Sequence, residues 1–499
     1  MGAILDQKGR ILASTVPVNI LYADPKHIFN PEEVASALLP YVPKLDKPTL
    51  IKRLTKKGRF TELDRKLTPK RHSAILQLGL PGIYVKPATI RIYPQGREAA
   101  HIIGAVDRDN NGIAGIEKSQ NETLASGENV YLSIDTGLQT VLRESLDTQI
   151  KTFEALGGAA LILDVKTGEI MAATSLPDFD PNHIMTSTDT ARFNQVTKGV
   201  YEMGSIFKVL NTAIALETGA IDMQATIDVS KPIRVAGQLI DDYHPIKGSI
   251  GLAEILVRSS NIGSAHISQL IGSETQKNYM KQLGLLSASP LEIVENGVPL
   301  VPQNWSHITT MTVSYGYGLS VSMVQAAAAI AAAGGDGHYI APTLLRRNAN
   351  EPIEKLRIFS TETSMAVRSM MRLVVSNKIG TGNFADAPGY LVGGKTGTAE
   401  KVENKGFNRK ANRVSFVATF PANDPAYLIM MMVDEPIGQK HSYNYATAGW
   451  VVAPAIKEVV NQIAPILGVH PVDITKPENS QNLLPPMMLD GKESVYASF

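Results

Sequence analysis

Two apolar hairpin patterns stand at opposite ends of a long, mainly helical stretch, and they constrain the fold more than any other feature. The first joins residues 159–165 to 169–173 through Lys166-Thr167-Gly168. The second joins 413–420 to 427–433 through Pro421-Ala422-Asn423-Asp424-Pro425. Short apolar runs bounded by turn residues are strand signals. A third run, 391–399, reads as an edge strand pairing with 413–420 across a loop. An isolated hairpin is barely stable in water. These segments therefore predict one antiparallel sheet in which the two ends of an α+β domain meet, with helices packed on it.

The chain has 499 residues, enough for about two to four domains. Residues 1–127 are mixed and loop-rich, with short strand-like runs at 10–13 and 82–85 and a helix pattern at 31–39 whose early acids suit a helix N-terminus. A polar, glycine-containing turn at 124–128 precedes a strand pattern at 130–134, which places a domain boundary there. Residues 138–156 and 450–463 read as helices. The sheet domain then spans 128–468, and 469–499, rich in Pro, Asn, Ser and charge, reads as a flexible tail.

Composition removes several classes. There is no cysteine, so disulfide frameworks, thiolate metal sites and thiol nucleophiles are excluded. Lys plus Arg number 48 against 47 Asp plus Glu, a balance unlike that of a generic nucleic-acid binder. No metal-binding motif appears, and Gly316-Tyr317-Gly318 lacks the third glycine of a dinucleotide fingerprint. No signal peptide or membrane-spanning run is visible, so the chain by itself reads as soluble.

Three segments carry chemistry. Glu202-Met203-Gly204-Ser205-Ile206-Phe207-Lys208 opens a helix that is apolar nearly all round, hence buried. Ser205 and Lys208 are i and i+3, on one face. Burying an ammonium is costly, so such a lysine tends to lose its proton and becomes a general base beside a nucleophile. The bland alternative is an N-cap serine and a surface lysine; S-x-x-K occurs only here.

Ser259-Ser260-Asn261 is weaker, because S-x-N recurs at Ser119, Ser442 and Ser480. Taken alone it is a turn or N-cap. Its placement between helix patterns 251–258 and 262–271 could present a hydroxyl and an amide to a cleft.

Gly393-Gly394-Lys395-Thr396-Gly397-Thr398 is the third. Its K-T-G triplet also occurs in the hairpin turn at 166–168. Residues 389–396 match the phosphate-loop pattern letter for letter, but no strand precedes them and no helix start follows. An edge strand bearing a lysine fits better, its glycines admitting a substrate backbone.

Together, S-x-x-K, S-x-N and K-T-G-T in this order resemble the penicillin-interacting serine acyltransferases. The resemblance covers nearly the whole chain. Residues 2–13, Arg91-Ile92-Tyr93-Pro94-Gln95-Gly96 and Gly112-Ile113-Ala114-Gly115-Ile116-Glu117 are similar to the pedestal of class B penicillin-binding proteins. Residues 175–182 and 317–325 are similar to later segments of the division-type, septal members. Met203 departs from the family, which more often has proline there.

This resemblance implies a peptidoglycan D,D-transpeptidase with a β-lactamase/transpeptidase-like domain on a mixed N-terminal pedestal. It implies Ser205 as nucleophile and Lys208 as its base. Ser259 would relay a proton, Lys395 add positive charge, and Asn261, Thr396, Gly397 and Thr398 bind substrate. No metal or other cofactor is implied. Implied partners are stem peptides ending in D-Ala-D-Ala, amine acceptors, β-lactams, and a glycosyltransferase and other division proteins docking through the pedestal. The family works at the periplasmic face of the inner membrane behind a single-pass anchor, and the resemblance leads one to expect such an anchor although no spanning run is visible in this sequence; freedom from cysteine suits that oxidising space. The rivals are a carboxypeptidase or β-lactamase, an elongation-type transpeptidase and a non-catalytic cell-wall sensor or scaffold. Arg91 and Glu117 are expected to form an ion pair in the pedestal.

Overall fold

The structure, a computed structural model, describes residues 1–473 apart from 236, 349, 404 and 405, together with 476, 483, 487–489 and 492–494. The expected tail at 469–499 lies largely outside the described residues. Of its described part, Val472 N–H donates to Gly389 O, and Leu483 is buried against Leu391 and Ala422. No helix among the described residues is long and apolar enough to cross a membrane.

The N-terminal region is built on β1 (Ile4–Leu5), β2 (Ile11–Ala23), β3 (Thr61–Leu67) and β4 (Ile83–Ile92). β2 is 13 residues long, not the short run the sequence suggests, and pairs with β4 from Ser14 to Ala23. Pro17 and Pro87 disguise this ribbon. β3 joins β2 only at Asn19–Ala23, and β4 pairs with β2 alone. Both prolines thus have a free strand edge beside them, where a missing N–H breaks no ladder. Helices α1 (Pro31–Leu38), α2 (Lys47–Leu54) and α3 (Pro69–Gln77) cover one end. They form a separate small core with Leu21, Val34, Leu38, Leu50 and Leu63. β1 also pairs in parallel with Val130–Tyr131, tying this region to the next.

Arg91 and Glu117 do pair, at 2.7 Å with both side chains fully buried. Arg91 also donates to Gly2 O at 2.6 Å and Thr15 Oγ1 at 3.1 Å, so one guanidinium ties three parts of the pedestal together.

The expected sheet forms. β5 (Gly157–Asp164), β6 (Ile170–Leu176), β7 (Gly393–Glu403), β8 (Gly406–Phe420) and β9 (Tyr427–Asp434) assemble in the order β7-β8-β9-β5-β6. All four pairings are antiparallel, and the two hairpins meet where β9 pairs with β5. β9 shows why its run is continuously apolar: Leu428, Met430 and Met432 enter one core while Ile429, Met431 and Val433 enter another. A sheet covered on both faces needs no polar alternation. α4 (Thr136–Thr152) and a C-terminal helix (Ala453–Ile466) pack on the second face. The C-terminal helix is preceded by a separate short turn, Ala448–Val451, rather than being continuous from 450.

The first face carries the middle of the chain. It includes α5 (Lys208–Glu217), α6 (Leu252–Arg258), α7 (Asn261–Ile271), α8 (Met323–Gly334) and α9 (Thr361–Ser376). α8 is buried at every residue, and its start is closed by a reciprocal Ser322–Gln325 capping box. α5 is buried within this core along nearly its whole length.

Candidate active site

Ser205 sits on a 3-10 turn, Gly204–Phe207, that runs directly into α5. In that tighter turn, residues i and i+3 eclipse one another. Lys208 Nζ consequently lies 2.7 Å from Ser205 Oγ. The approach to this turn is fixed from two sides. Val200–Glu202 pairs with Ser320–Ser322, and Gly204 N–H donates to Gly316 O at 3.1 Å. Gly204 has φ +53°, and a Cβ there would meet Thr398 O at 2.4 Å. The glycine lets the Ser205 turn lie directly on β7.

Ser259 closes α6 with φ 62° and ψ 41°, a left-handed conformation uncommon for serine. α7 begins at Asn261 with Ser260 as its N-cap. The triplet thus lies between two helices, as expected. Asp242, which the sequence gives no reason to select, holds it there. Its carboxylate accepts from Ser260 Oγ at 2.7 Å, Asn261 N–H at 2.5 Å and Ile262 N–H at 3.1 Å. These bonds satisfy N–H groups that a helix start leaves unpaired. The contact is a direct hydrogen bond between residues 18 apart in sequence, and no local pattern records it.

Lys395 stands on β7, the sheet's edge strand, opposite Val417. A strand at this position excludes the phosphate-loop pattern, which needs a helix start. Lys395 Nζ is 2.8 Å from Ser259 Oγ, and Thr396 Oγ1 is 2.7 Å from Thr381 Oγ1. Thr398 is exposed, two residues further along. The glycines are also required by the protein's own packing. A Cβ at Gly394 would meet the Phe416 ring at 2.4 Å, and one at Gly397 would meet Ser415 Oγ at 2.5 Å and Met203 O at 2.9 Å. Both make room for the protein's own packing, and Gly397 admits the strand leading to Ser205.

The two amines are almost wholly buried, Lys208 at 1% and Lys395 at 0% exposure. Burial lowers the Lys208 pKa from 10.5 to about 7, against an opposing pull from Asp242. Burial, then repulsion from Lys208, lowers Lys395 well below its usual value. Hydrogen bonding shows what a neutral Lys208 does. Its Nζ is 2.7 Å from Asn261 Oδ1 and 2.9 Å from Ser259 O. Both atoms only accept; the Asn261 amide is oriented by its own Nδ2 donating to Asp241 O. Two N–H bonds are thereby used, which leaves the amine lone pair for the Ser205 hydroxyl. Ser259 Oγ lies 3.3 Å from the same Nζ, between the two amines.

Ser205, Lys208, Ser259, Asn261 and Lys395 thus form one hydrogen-bonded cluster, with Thr396, Gly397 and Thr398 on the adjoining strand. A hydroxyl beside a proton-poor amine, at a helix N-terminus and a sheet edge, is the apparatus of acyl transfer through a serine ester. The family model for the penicillin binding protein transpeptidase domain matches residues 158–458, and that for the penicillin-binding protein dimerisation domain matches 2–134. The chain belongs to the penicillin-binding proteins, and within them to class B. It is 36% identical to a probable peptidoglycan D,D-transpeptidase FtsI of Caulobacter vibrioides, over 94% of this chain and 81% of that one. It is 29% identical to peptidoglycan D,D-transpeptidase FtsI of Escherichia coli, over 96% and 86%. Penicillin binding protein 3 of Mycobacterium tuberculosis, solved with aztreonam, shares the fold with TM-score 0.75 at 22% identity, covering 95% of this chain and 97% of that one.

Proposed function

We propose that this chain cross-links peptidoglycan stem peptides at the division septum through an ester on Ser205. The observation that carries this is the 2.7 Å contact between Ser205 Oγ and a buried Lys208 amine that loses its proton near pH 7. Lys208 takes the hydroxyl proton as Oγ attacks the carbonyl of the penultimate D-Ala. The Oγ–C bond forms and the C–N bond to the terminal D-Ala breaks. Ser259, in contact with both amines, passes a proton to the departing nitrogen. The N–H groups of Ser205 and Thr398 stabilise the oxyanion, each worth roughly 3–4 kcal/mol. In support, a Cβ built on Gly204 would lie 3.3 Å from Thr398 N, so the two segments are close enough to share one oxygen. Asn261 binds the substrate amide, while Lys395, Thr396 and Thr398 receive the terminal carboxylate. A second stem peptide's neutral amine then attacks the ester, forming the cross-link and returning the proton to Ser205.

β-Lactams are taken up as mimics of D-Ala-D-Ala. In this reading the pedestal (1–127) docks a glycosyltransferase and other division proteins, and the transpeptidase domain (128–468), followed by a C-terminal segment (469–499), acts at the periplasmic face of the inner membrane. The test supplies a synthetic stem pentapeptide with and without an amine acceptor. Release of D-Ala together with a cross-linked product, both lost in Ser205→Ala, is expected. D-Ala release to water alone would assign the chain to the carboxypeptidases. Neither product would leave a sensor or scaffold.

A further inference from the structure

The chain's near-neutral total conceals a strongly basic end of the pedestal. Residues 44–72 hold eleven Lys and Arg against three Asp and Glu, a net of +8, so the remaining residues sum to −7. The acids there are already engaged. Glu62 pairs with Arg65, Asp64 with Arg71, and Asp46 caps α2 through Thr49 N–H. Lys47, Lys52, Lys56, Lys57, Lys66 and Lys70 are all exposed, and none has a carboxylate at ion-pair distance among the described residues. The loop from α2 to β3, Thr55-Lys56-Lys57-Gly58-Arg59-Phe60, is exposed at every position.

Aromatic rings adjoin these charges. Phe60 is 49% exposed, its ring centroid 4.9 Å from that of Tyr22 and 4.4 Å from Lys86 Nζ. Phe29 is 92% exposed, and its turn is joined to the loop by the Arg59–Asp24 ion pair at 3.2 Å. We infer that this end of the pedestal rests on an anionic lipid surface. Three observations favour lipid over an acidic protein. The free cations are spread over α2, its loop, β3 and α3 rather than converging on one anion. They are lysines, strongly hydrated point charges, whereas Arg59, Arg65 and Arg71, the type that anchors specific protein contacts, are spent on the chain's own acids. Exposed phenylalanines beside lysines match the headgroup layer, where charge meets phosphate and rings reach the acyl boundary.

The test is flotation of the whole chain with vesicles rich in phosphatidylglycerol, with phosphatidylcholine vesicles alone, and with polyglutamate as an acidic-peptide probe. Binding to the anionic vesicles, weakened by salt, is expected. Lys52→Gln/Lys56→Gln/Lys57→Gln should lower that partitioning roughly a hundredfold, about fivefold per charge. The variant's unfolding midpoint and its labelling by a penicillin should not change, which separates this inference from the proposed reaction. Phe29→Ser should weaken vesicle binding without altering its salt dependence. Equal binding to uncharged vesicles, binding to polyglutamate but not to vesicles, or binding to neither would each overturn the inference.

Discussion

Replacing Lys208 with methionine should make the protein's stability less dependent on pH, and the structure sets the size of the effect. Unfolded, the Lys208 amine keeps its proton up to about its usual 10.5; folded, it gives the proton up at about 7. Between these values the unfolded state binds more protons, so the wild type gains stability as pH rises and loses it as pH falls. Below 7 the difference is flat. Each pH unit within the window is worth about 1.4 kcal/mol. From pH 9 to pH 7 the wild type should therefore lose about 2 kcal/mol relative to Lys208→Met. Lys395 is present in both proteins, so most of its own contribution cancels. For a chain of this size that is about 2 °C in unfolding midpoint. Midpoints of both proteins at pH 6, 7, 8 and 9 measure it. The advantage of the methionine variant should be greatest at pH 6–7 and shrink by pH 9. An advantage that is constant or grows with pH would refute the claim that this amine is buried without its proton. Penicillin acylation should follow the same group, rising about tenfold per pH unit below 7 and levelling above it.

Asp242→Asn keeps part of the cap but removes the one charge that favours the Lys208 ammonium, so the acylation profile should shift to lower pH. Asp242→Ala should in addition cost about 1–2 kcal/mol in thermal unfolding, the value of a lost cap, and slow acylation by loosening Ser259. Arg91→Met should cost about 3–5 kcal/mol because Glu117 is left buried and unpaired, and Arg91→Met/Glu117→Leu should recover most of it in the same assay. Gly204→Ala should abolish penicillin labelling through its clash with Thr398 O, with less effect on the unfolding midpoint of the pedestal.

What the sequence disclosed follows from how local each determinant is. The sheet was legible because its strands are contiguous apolar runs with turn residues between them. Ser205 and Lys208 were legible because the pair is unique in the chain and its helix has no polar face. Ser259-Ser260-Asn261 was not distinguishable from Ser442-Tyr443-Asn444 by its letters; the resemblance selected it. Asp242 acts across 18 residues through hydrogen bonds to a helix start, and such bonds leave no periodicity. The packing of Gly397 against Met203 and Ser415 joins segments far apart in sequence, and its letters alone do not disclose it. β2 looks shorter in sequence than it is, because its ribbon contains prolines that a free strand edge tolerates. The basic end of the pedestal vanished in a whole-chain sum because the rest of the chain is acidic.

Ser205 should carry the acyl group. Intact mass after incubation with a penicillin, followed by peptide mapping, tests it most directly. One long-lived adduct per chain is expected, located on Ser205 and absent from Ser205→Ala. An adduct that persists in Ser205→Ala, or rapid penicillin turnover with no adduct, would contradict it.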